Sequence, residues 1–334
     1  MTALLEIDGL SVTIPVGGRP QTVIHDVSLA LGAGEALAIV GESGAGKSMT
    51  VRAILRMLPA GATVDGGLRF DGQEISQFKD GELRRYRAYD VGVVFQDPRA
   101  HVNPVRRVGD FMIEPLVRLR GMKPAAARAR VVAILAEIGV TDGERRFRQF
   151  PHELSGGLLQ RMMIASVVAM EPRLILADEP TTALDATTQS DVMAILAELR
   201  ASHDLALLLV THDLDLGAAV CDRLAVIYAG MIVEERSAAD VIDDPLHPYT
   251  AALGASRPAL AAHGTRLPAI SGKPLSAFEA PAGCPFEPRC PFAEPDCTAH
   301  RPTPSPLAGG RVACLRAAEL RGKLVSAPAR VLHG

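Results

Sequence analysis

Residues 41–48 read GESGAGKS and follow directly on the apolar run LAIV at 37–40. The stretch fits G-x-x-x-x-G-K-[ST], with a buried strand predicted before it and a helix after it. Backbone N–H groups of such a loop wrap phosphate oxygens, and the following helix presents its positive end. Gly41, Gly44 and Gly46 allow the tight backbone. Lys47 is placed to reach the β- and γ-phosphates of a nucleotide and Ser48 to hold Mg²⁺. Glu42, Ser43, Ala45 and Met49 complete the expected nucleotide-binding stretch.

Two further stretches extend this chemistry. LILADEP, 174–180, is an apolar strand ending in acids. Asp178 is expected to bind Mg²⁺ directly or through water, and Glu179 to polarise the water that attacks the γ-phosphate. LSGGLLQR, Leu154–Arg161, places Ser155 as an N-cap with Gly156 and Gly157 leaving backbone N–H groups open ahead of an apolar helix. It is a second anion-binding helix start.

The surrounding pattern alternates strands with helices. Residues 4–8, 11–14, 68–70 and 91–95 read as strands, and a helix is predicted from Lys47 to about Leu58. Helical spacing runs from about 100 to 170, with Pro124 opening AAARARVVAILAEIGV. Thr188–Ala201 reads as a helix, ALLLVTHD (206–213) as a buried strand and VIYAGMIVEE (226–235) as a closing hairpin. Such alternation argues for an α/β fold. After about Pro245 prolines become frequent and periodicity is lost. We read 245–283 as an extended connector and 284–334 as a small appended module, behind a main domain over 1–244. No internal repeat is visible.

The bulk numbers set bounds. A chain of 334 residues suggests one large domain plus something smaller, or two. A net charge of −3 disfavours a nucleic-acid partner. MTALLEIDGL lacks the basic and apolar regions of a signal peptide. No apolar stretch approaches the roughly 20 residues of a membrane span. RMMIASVVAM and DLALLLV read as core helix and core strand. A cytoplasmic location is therefore expected, where stable disulfides are rare.

With these stretches in order, the chain resembles the ATP-binding subunits of ABC transporters over about residues 4–240. Gly41–Ser48 match the Walker A motif, and Asp178 with Glu179 match Walker B and its catalytic glutamate. Leu154–Gly157 match the ABC signature. Gln96 in VVFQDP matches the Q-loop, Ala183–Asp185 the D-loop, and His212 in VTHD the switch histidine. The resemblance implies a P-loop NTPase core of the ABC type, with an antiparallel β subdomain and a helical subdomain at about 100–170. It also implies two subunits sandwiching two ATPs head to tail. Lys47, Ser48, Gln96, Asp178, Glu179 and His212 serve one ATP, with Ser48, Gln96 and Asp178 about its Mg²⁺. Ser155 and Gly157 face the γ-phosphate held by the other subunit. One copy of each motif means one chain cannot complete a site, so a second ATPase is implied, identical or homologous. Two separate membrane permease subunits, an extracytoplasmic substrate-binding protein and a peripheral place on the inner face of the cell membrane are implied with it.

This sequence departs from the family pattern twice. The usual adenine-stacking aromatic is replaced by Ile14, and the usual glutamine after the signature glycines is Leu158. The finer resemblance is to the dipeptide, oligopeptide and nickel import branch, through LSGGLLQRMMIA, FQDP, ADEPTTALD and DPLHPYT at Asp244–Thr250. Peptide uptake is the leading expectation. A nickel or metal-chelate importer is the alternative, and a redox-sensing regulatory ATP-binding subunit is the alternative of another class.

Four of the five cysteines, Cys284, Cys290, Cys297 and Cys314, fall in C-x5-C-x6-C-x16-C spacing near the C-terminus. In a reducing compartment such a set reads as a metal site. Four thiolates suit Zn²⁺ or a [4Fe–4S] cluster, and unligated thiols remain an open reading. The resemblance to peptide importers implies the iron–sulfur cluster. Cys221 reads as a buried core thiol.

Overall fold

The computed structural model describes residues 3–182, 184–256 and 270–324. Ala183 of the D-loop and residues 257–269 of the predicted connector lie outside the described residues. The chain divides into two compact units. One comprises Met1–Leu31, Ala36–Ser76 and Val210–Gly334, the other Gly32–Glu35 and Gln77–Leu209.

In the first unit, β1 (Leu5–Val16) pairs antiparallel with β2 (Arg19–Leu31) and with β4 (Thr63–Phe70), and β4 with β5 (Gln73–Glu74). The predicted strands at 4–8 and 11–14 are thus one strand, whose register shifts beside Gly9, where φ is +61°. A second layer forms from β3 (Ala36–Val40), which is buried throughout and runs parallel to β9 (Arg223–Tyr228). β9 turns through Ala229 and Gly230, both at positive φ, into antiparallel β10 (Met231–Ser237). This is the expected hairpin, with the left-handed two-residue turn that suits strand twist. Helix α1 (Lys47–Ile54) follows β3 across the glycine loop. It ends four residues earlier than the apolar pattern suggested, because Arg56 turns to φ +50°.

Two expectations for the C-terminal part are corrected. The stretch read as extended connector contains α10 (Pro248–Ala255), with Pro248 at its first turn and the His247 side chain capping the Tyr249 N–H. Pro248, Tyr249, Thr250, Ala251 and Gly254 are buried, so no amphipathic period marks the helix. Nor is 284–324 an appended irregular module. Strand β12 (Gly310–Val312) pairs with β10 at Glu234↔Val312 and with β11 (Ser305–Leu307), extending the sheet of the first unit. Both strands have only three residues, too few to show an alternating pattern. Leu320, Leu324 and Phe292 pack with Ala251 of α10.

In the second unit, β6 (Val91–Val94) lies parallel to β7 (Leu174–Asp178). The helical region contains α3 (Val108–Arg118), α4 (Pro124–Glu137) and α6 (Gly156–Ala169), with α7 (Ala186–His203) after the D-loop. Gly92 lets β6 lie close under Val167 of α6 and Pro172, and Gly109 lets α3 approach Phe147. β8 (Ala206–Thr211) leaves this unit at Leu209 and carries the chain back to the first. Among the described residues no helix is long and apolar enough to cross a membrane.

Candidate functional site

The glycine loop is built as its sequence requires. A Cβ on Gly41 would overlap the Ile227 carbonyl of β9, and one on Gly46 would meet the Val23 carbonyl at 2.8 Å. Gly46 sits at φ +100° as the N-cap of α1. The Ala45 carbonyl accepts the Gly230 N–H at 2.9 Å, tying the loop to the β9–β10 turn. Lys47 is 4% exposed, and its Nζ donates to the carbonyls of Gly41 and Glu42 at 2.8 and 3.1 Å. This buried ammonium, glycine backbone and helix start form a cradle suited to phosphate oxygens.

His212 lies exposed in the same unit, between β8 and α8 (Leu214–Val220). Its neighbours fix the backbone on either side. The Asp213 N–H donates to Thr211 Oγ1 at 3.0 Å, and Asp213 Oδ1 caps α8 by accepting from Asp215 and Leu216. The tripeptide Thr-His-Asp therefore presents the imidazole from a closed turn.

The second unit gathers the other predicted residues. Asp178 ends β7 half-buried, and Glu179 follows with φ +47°, a left-handed backbone costly for a non-glycine residue. Glu179 Oε2 accepts from Thr182 Oγ1 at 2.9 Å and from Gln96 Nε2 at 3.5 Å. The structure thus brings Gln96 and Glu179 together and adds Thr182, which sequence reasoning missed. Its signal was the hydroxyl three residues after Glu179 in DEPTT. Gln160 of α6, 1% exposed, donates through Nε2 to the Phe95 carbonyl at 3.2 Å and so steadies the backbone entering Gln96. Arg99 reaches the Leu154 carbonyl at 3.0 Å, joining the Q-loop to the signature.

The signature itself is capped as predicted. Ser155 Oγ accepts the Leu158 N–H at 3.3 Å. A cavity of about 330 Å³ is lined by Ser155, Gly156, Gly157, Leu158, Arg161 and Asp185, among others. Asp185 caps α7 by accepting from Thr188 N and Oγ1 at 3.0 and 2.7 Å. These bonds hold its carboxyl below the usual range.

These observations find their counterpart in known proteins. Residues 24–182 match the family model of the ABC transporter, and residues 233–297 that of the oligopeptide/dipeptide transporter C-terminal region. The oligopeptide transport ATP-binding protein OppD of Escherichia coli is 39% identical over 95% of this chain and 94% of its own length. This chain belongs to the ABC transporter ATP-binding proteins, in the oligopeptide/dipeptide branch. The dipeptide transport ATP-binding protein DppD of Bacillus subtilis is 40% identical over 87% of this chain and 88% of its own length. The dimeric ATP-binding cassette MJ0796, solved with ADP and Pi, superposes with a TM-score of 0.62 at 28% identity, over 70% of this chain and 98% of that chain. Membership makes the protein an ATPase coupled to transport.

The cysteines stand apart from this chemistry. Cys284, Cys290, Cys297 and Cys314 all line one cavity of about 20 Å³, together with His247 and Phe286. Burial, aided by the neighbouring thiols, pushes Cys284 and Cys314 up to about 11. Unligated, they are protonated at neutral pH. The donor chemistry suits a soft metal. The arrangement does not complete the predicted centre: among the described residues no group of three or more His, Cys, Asp or Glu side chains stands ready to hold a metal ion. The space left between the thiols is about that of one water-sized sphere. Cys221, at the end of α8, is buried.

Proposed function

We propose that this chain hydrolyses ATP to energise uptake of di- and oligopeptides across the cytoplasmic membrane. One observation carries the peptide reading: an ABC cassette and the oligopeptide/dipeptide transporter C-terminal region are matched in one chain. The names of its relatives, oligopeptide and dipeptide transport ATP-binding proteins, support it.

In this reading Lys47 holds the β- and γ-phosphates, while Ser48, Asp178 and Gln96 serve Mg²⁺. Glu179 orients and deprotonates the attacking water, and His212 contacts the γ-phosphate. Leu154, Ser155, Gly156 and Gly157 address the nucleotide of a second ATPase, a homologue of this chain. The pair docks peripherally on two permease subunits on the inner face of the membrane, and an extracytoplasmic protein delivers the substrate. The four cysteines are the residues that would hold a metal centre. The soft-donor chemistry of the four thiols supports that reading, and no step of hydrolysis runs through it.

Uptake in a deletion strain tests the assignment, with labelled di- and oligopeptides beside labelled nickel. Restoration of peptide uptake by the intact chain and not by Glu179→Gln is expected. Restoration of nickel uptake alone would move the protein to the metal branch. For the cysteines, iron, sulfide and zinc are assayed after anaerobic purification. Colourless, metal-free protein would end the metal reading.

A further inference from the structure

Glu42, the second residue of the glycine loop, is gripped at every polar group it has. Its N–H donates to the Tyr249 hydroxyl of α10 at 2.9 Å, and its carbonyl accepts from Lys47. Its carboxylate takes a two-pronged pair from Arg289, Nη1 to Oε2 at 2.7 Å and Nη2 to Oε1 at 3.2 Å. Two of these three grips come from the C-terminal region, 207 and 247 residues along the chain. That region touches the loop once more, where the Ala277 N–H donates to the Gly44 carbonyl at 3.2 Å.

Arg289 is itself fully committed. Its Nε donates to the Ser271 carbonyl at 2.8 Å, Nη1 also to the Tyr228 hydroxyl at 3.2 Å and Nη2 to the Ile270 carbonyl at 3.4 Å. Its side chain is 3% exposed and lies beside the rings of Tyr228 and Phe286, its guanidinium 5.7 and 5.8 Å from their centres, and both rings pack with Tyr249. Burial disfavours the guanidinium charge, but Glu42 and Tyr228 outweigh it and hold the group ionised. A buried ion pair contributes little net stability against an apolar replacement. What a two-pronged arginine supplies is geometry, since its planar fork fixes the carboxylate in direction as well as distance. Here the fixed carboxylate belongs to the loop that receives phosphate.

We propose that Arg289, with Tyr249, is a positioning residue for the nucleotide loop, so that the C-terminal region preorganises the ATP site. This deepens the reading of Gly41–Ser48 as that site and rests on it. Without the fork, the loop must order itself when ATP binds, and affinity falls by the cost of that ordering.

The test measures KM for ATP and kcat in the assembled transporter, and the Kd of a slowly hydrolysed ATP analogue on the chain alone. Arg289→Met is expected to raise KM and Kd about tenfold, the size of one charge-assisted contact. The kcat at saturating ATP should stay within about twofold. Arg289→Lys, which keeps the charge and loses the fork, should recover only part of the affinity. Tyr249→Phe removes a single hydroxyl, keeps the ring packing and should raise Kd about threefold. It serves where Arg289→Met does not fold. Lys47→Ala separates the two readings. If it leaves binding of the analogue intact, the loop is not the nucleotide site. If it abolishes binding while Arg289→Met and Tyr249→Phe lower the melting temperature and leave Kd unchanged, the residues only stabilise the fold and the proposal is overturned.

Discussion

Thr182 Oγ1 donates to Glu179 Oε2 at 2.9 Å, so the carboxylate proposed to activate water is aimed by a hydroxyl one turn further along the chain. Glu179 holds a left-handed backbone at φ +47°, and Gln96 Nε2 approaches the same oxygen. The side chain is directed before any nucleotide arrives.

Replacing Thr182 by Val keeps the shape and deletes the donor. We expect hydrolysis to slow about tenfold, the effect of losing one hydrogen bond to a charged group, with ATP binding unchanged. Glu179→Gln should abolish hydrolysis and still allow ATP-locked dimers. Single-turnover rates beside equilibrium binding check both, and unchanged turnover in Glu179→Gln would refute its assigned role.

Gly157 owes its identity to Thr188. A Cβ at 157 would overlap Thr188 Cγ2, and the Thr188 side chain cannot turn aside without losing its hydroxyl bond to Asp185 Oδ2. Gly157→Ala should cost about 1–3 kcal/mol of stability, as overpacking does, and ATPase activity should fall with the displaced signature. Thr188→Ser removes the offending methyl and keeps the hydroxyl. The double variant should therefore recover most of both losses, which a double-mutant cycle in melting temperature and rate measures.

The glycine loop, the signature cap and the acidic strand end were legible because each is a local construction. Ser155 caps the Leu158 N–H three residues on, and Lys47 reaches the Gly41 and Glu42 carbonyls within its own loop. Their partners were less so. Thr182 lies three residues from Glu179 in a stretch read for its acids. Arg289 meets Glu42 across 247 residues, and nothing in either neighbourhood announces a partner. Helix α10 was missed because it is buried on nearly all sides, and β11 with β12 because three-residue strands show no period. What local chemistry writes can be read, while what tertiary packing selects leaves no periodic trace.

Acid should destabilise the protein through His247. It is 1% exposed and its Nδ1 accepts the Tyr249 N–H at 3.0 Å, and burial pushes it down to about 3. The depressed value means that the unfolded chain binds a proton first. Stability is therefore full above about pH 6.5 and lost progressively as pH falls toward 3, by about 2 kcal/mol at pH 5. Glu234 beside it works the other way. Burial raises its pKa despite bonds from the Leu246 and His247 N–H groups, so it offsets part of the loss. His247→Asn can still cap α10 and removes the titration. Urea unfolding at pH 7.5 and pH 5 should show a flatter profile in that variant. An identical pH dependence would place the acid sensitivity elsewhere.

Ile14 bears on which base the cassette accepts. It lies half-buried in β1, paired with Gln21 of β2, where the family resemblance implies an aromatic that stacks on adenine. Stacking on an aromatic is worth about 1–3 kcal/mol per base in nucleic-acid complexes. An aliphatic side chain offers contact but no π-face, and contact alone does not distinguish purines. The wild-type protein should bind ATP and GTP with similar affinities. An aromatic suits the pleated, partly exposed position, so Ile14→Tyr should tighten both purine nucleotides and tighten UTP least, because the pyrimidine offers a smaller ring. Competition titrations against a fluorescent ATP analogue read all three. A strong ATP preference in the wild type would mean that another part of the chain reads the base. No gain on Ile14→Tyr would mean that position 14 does not face it.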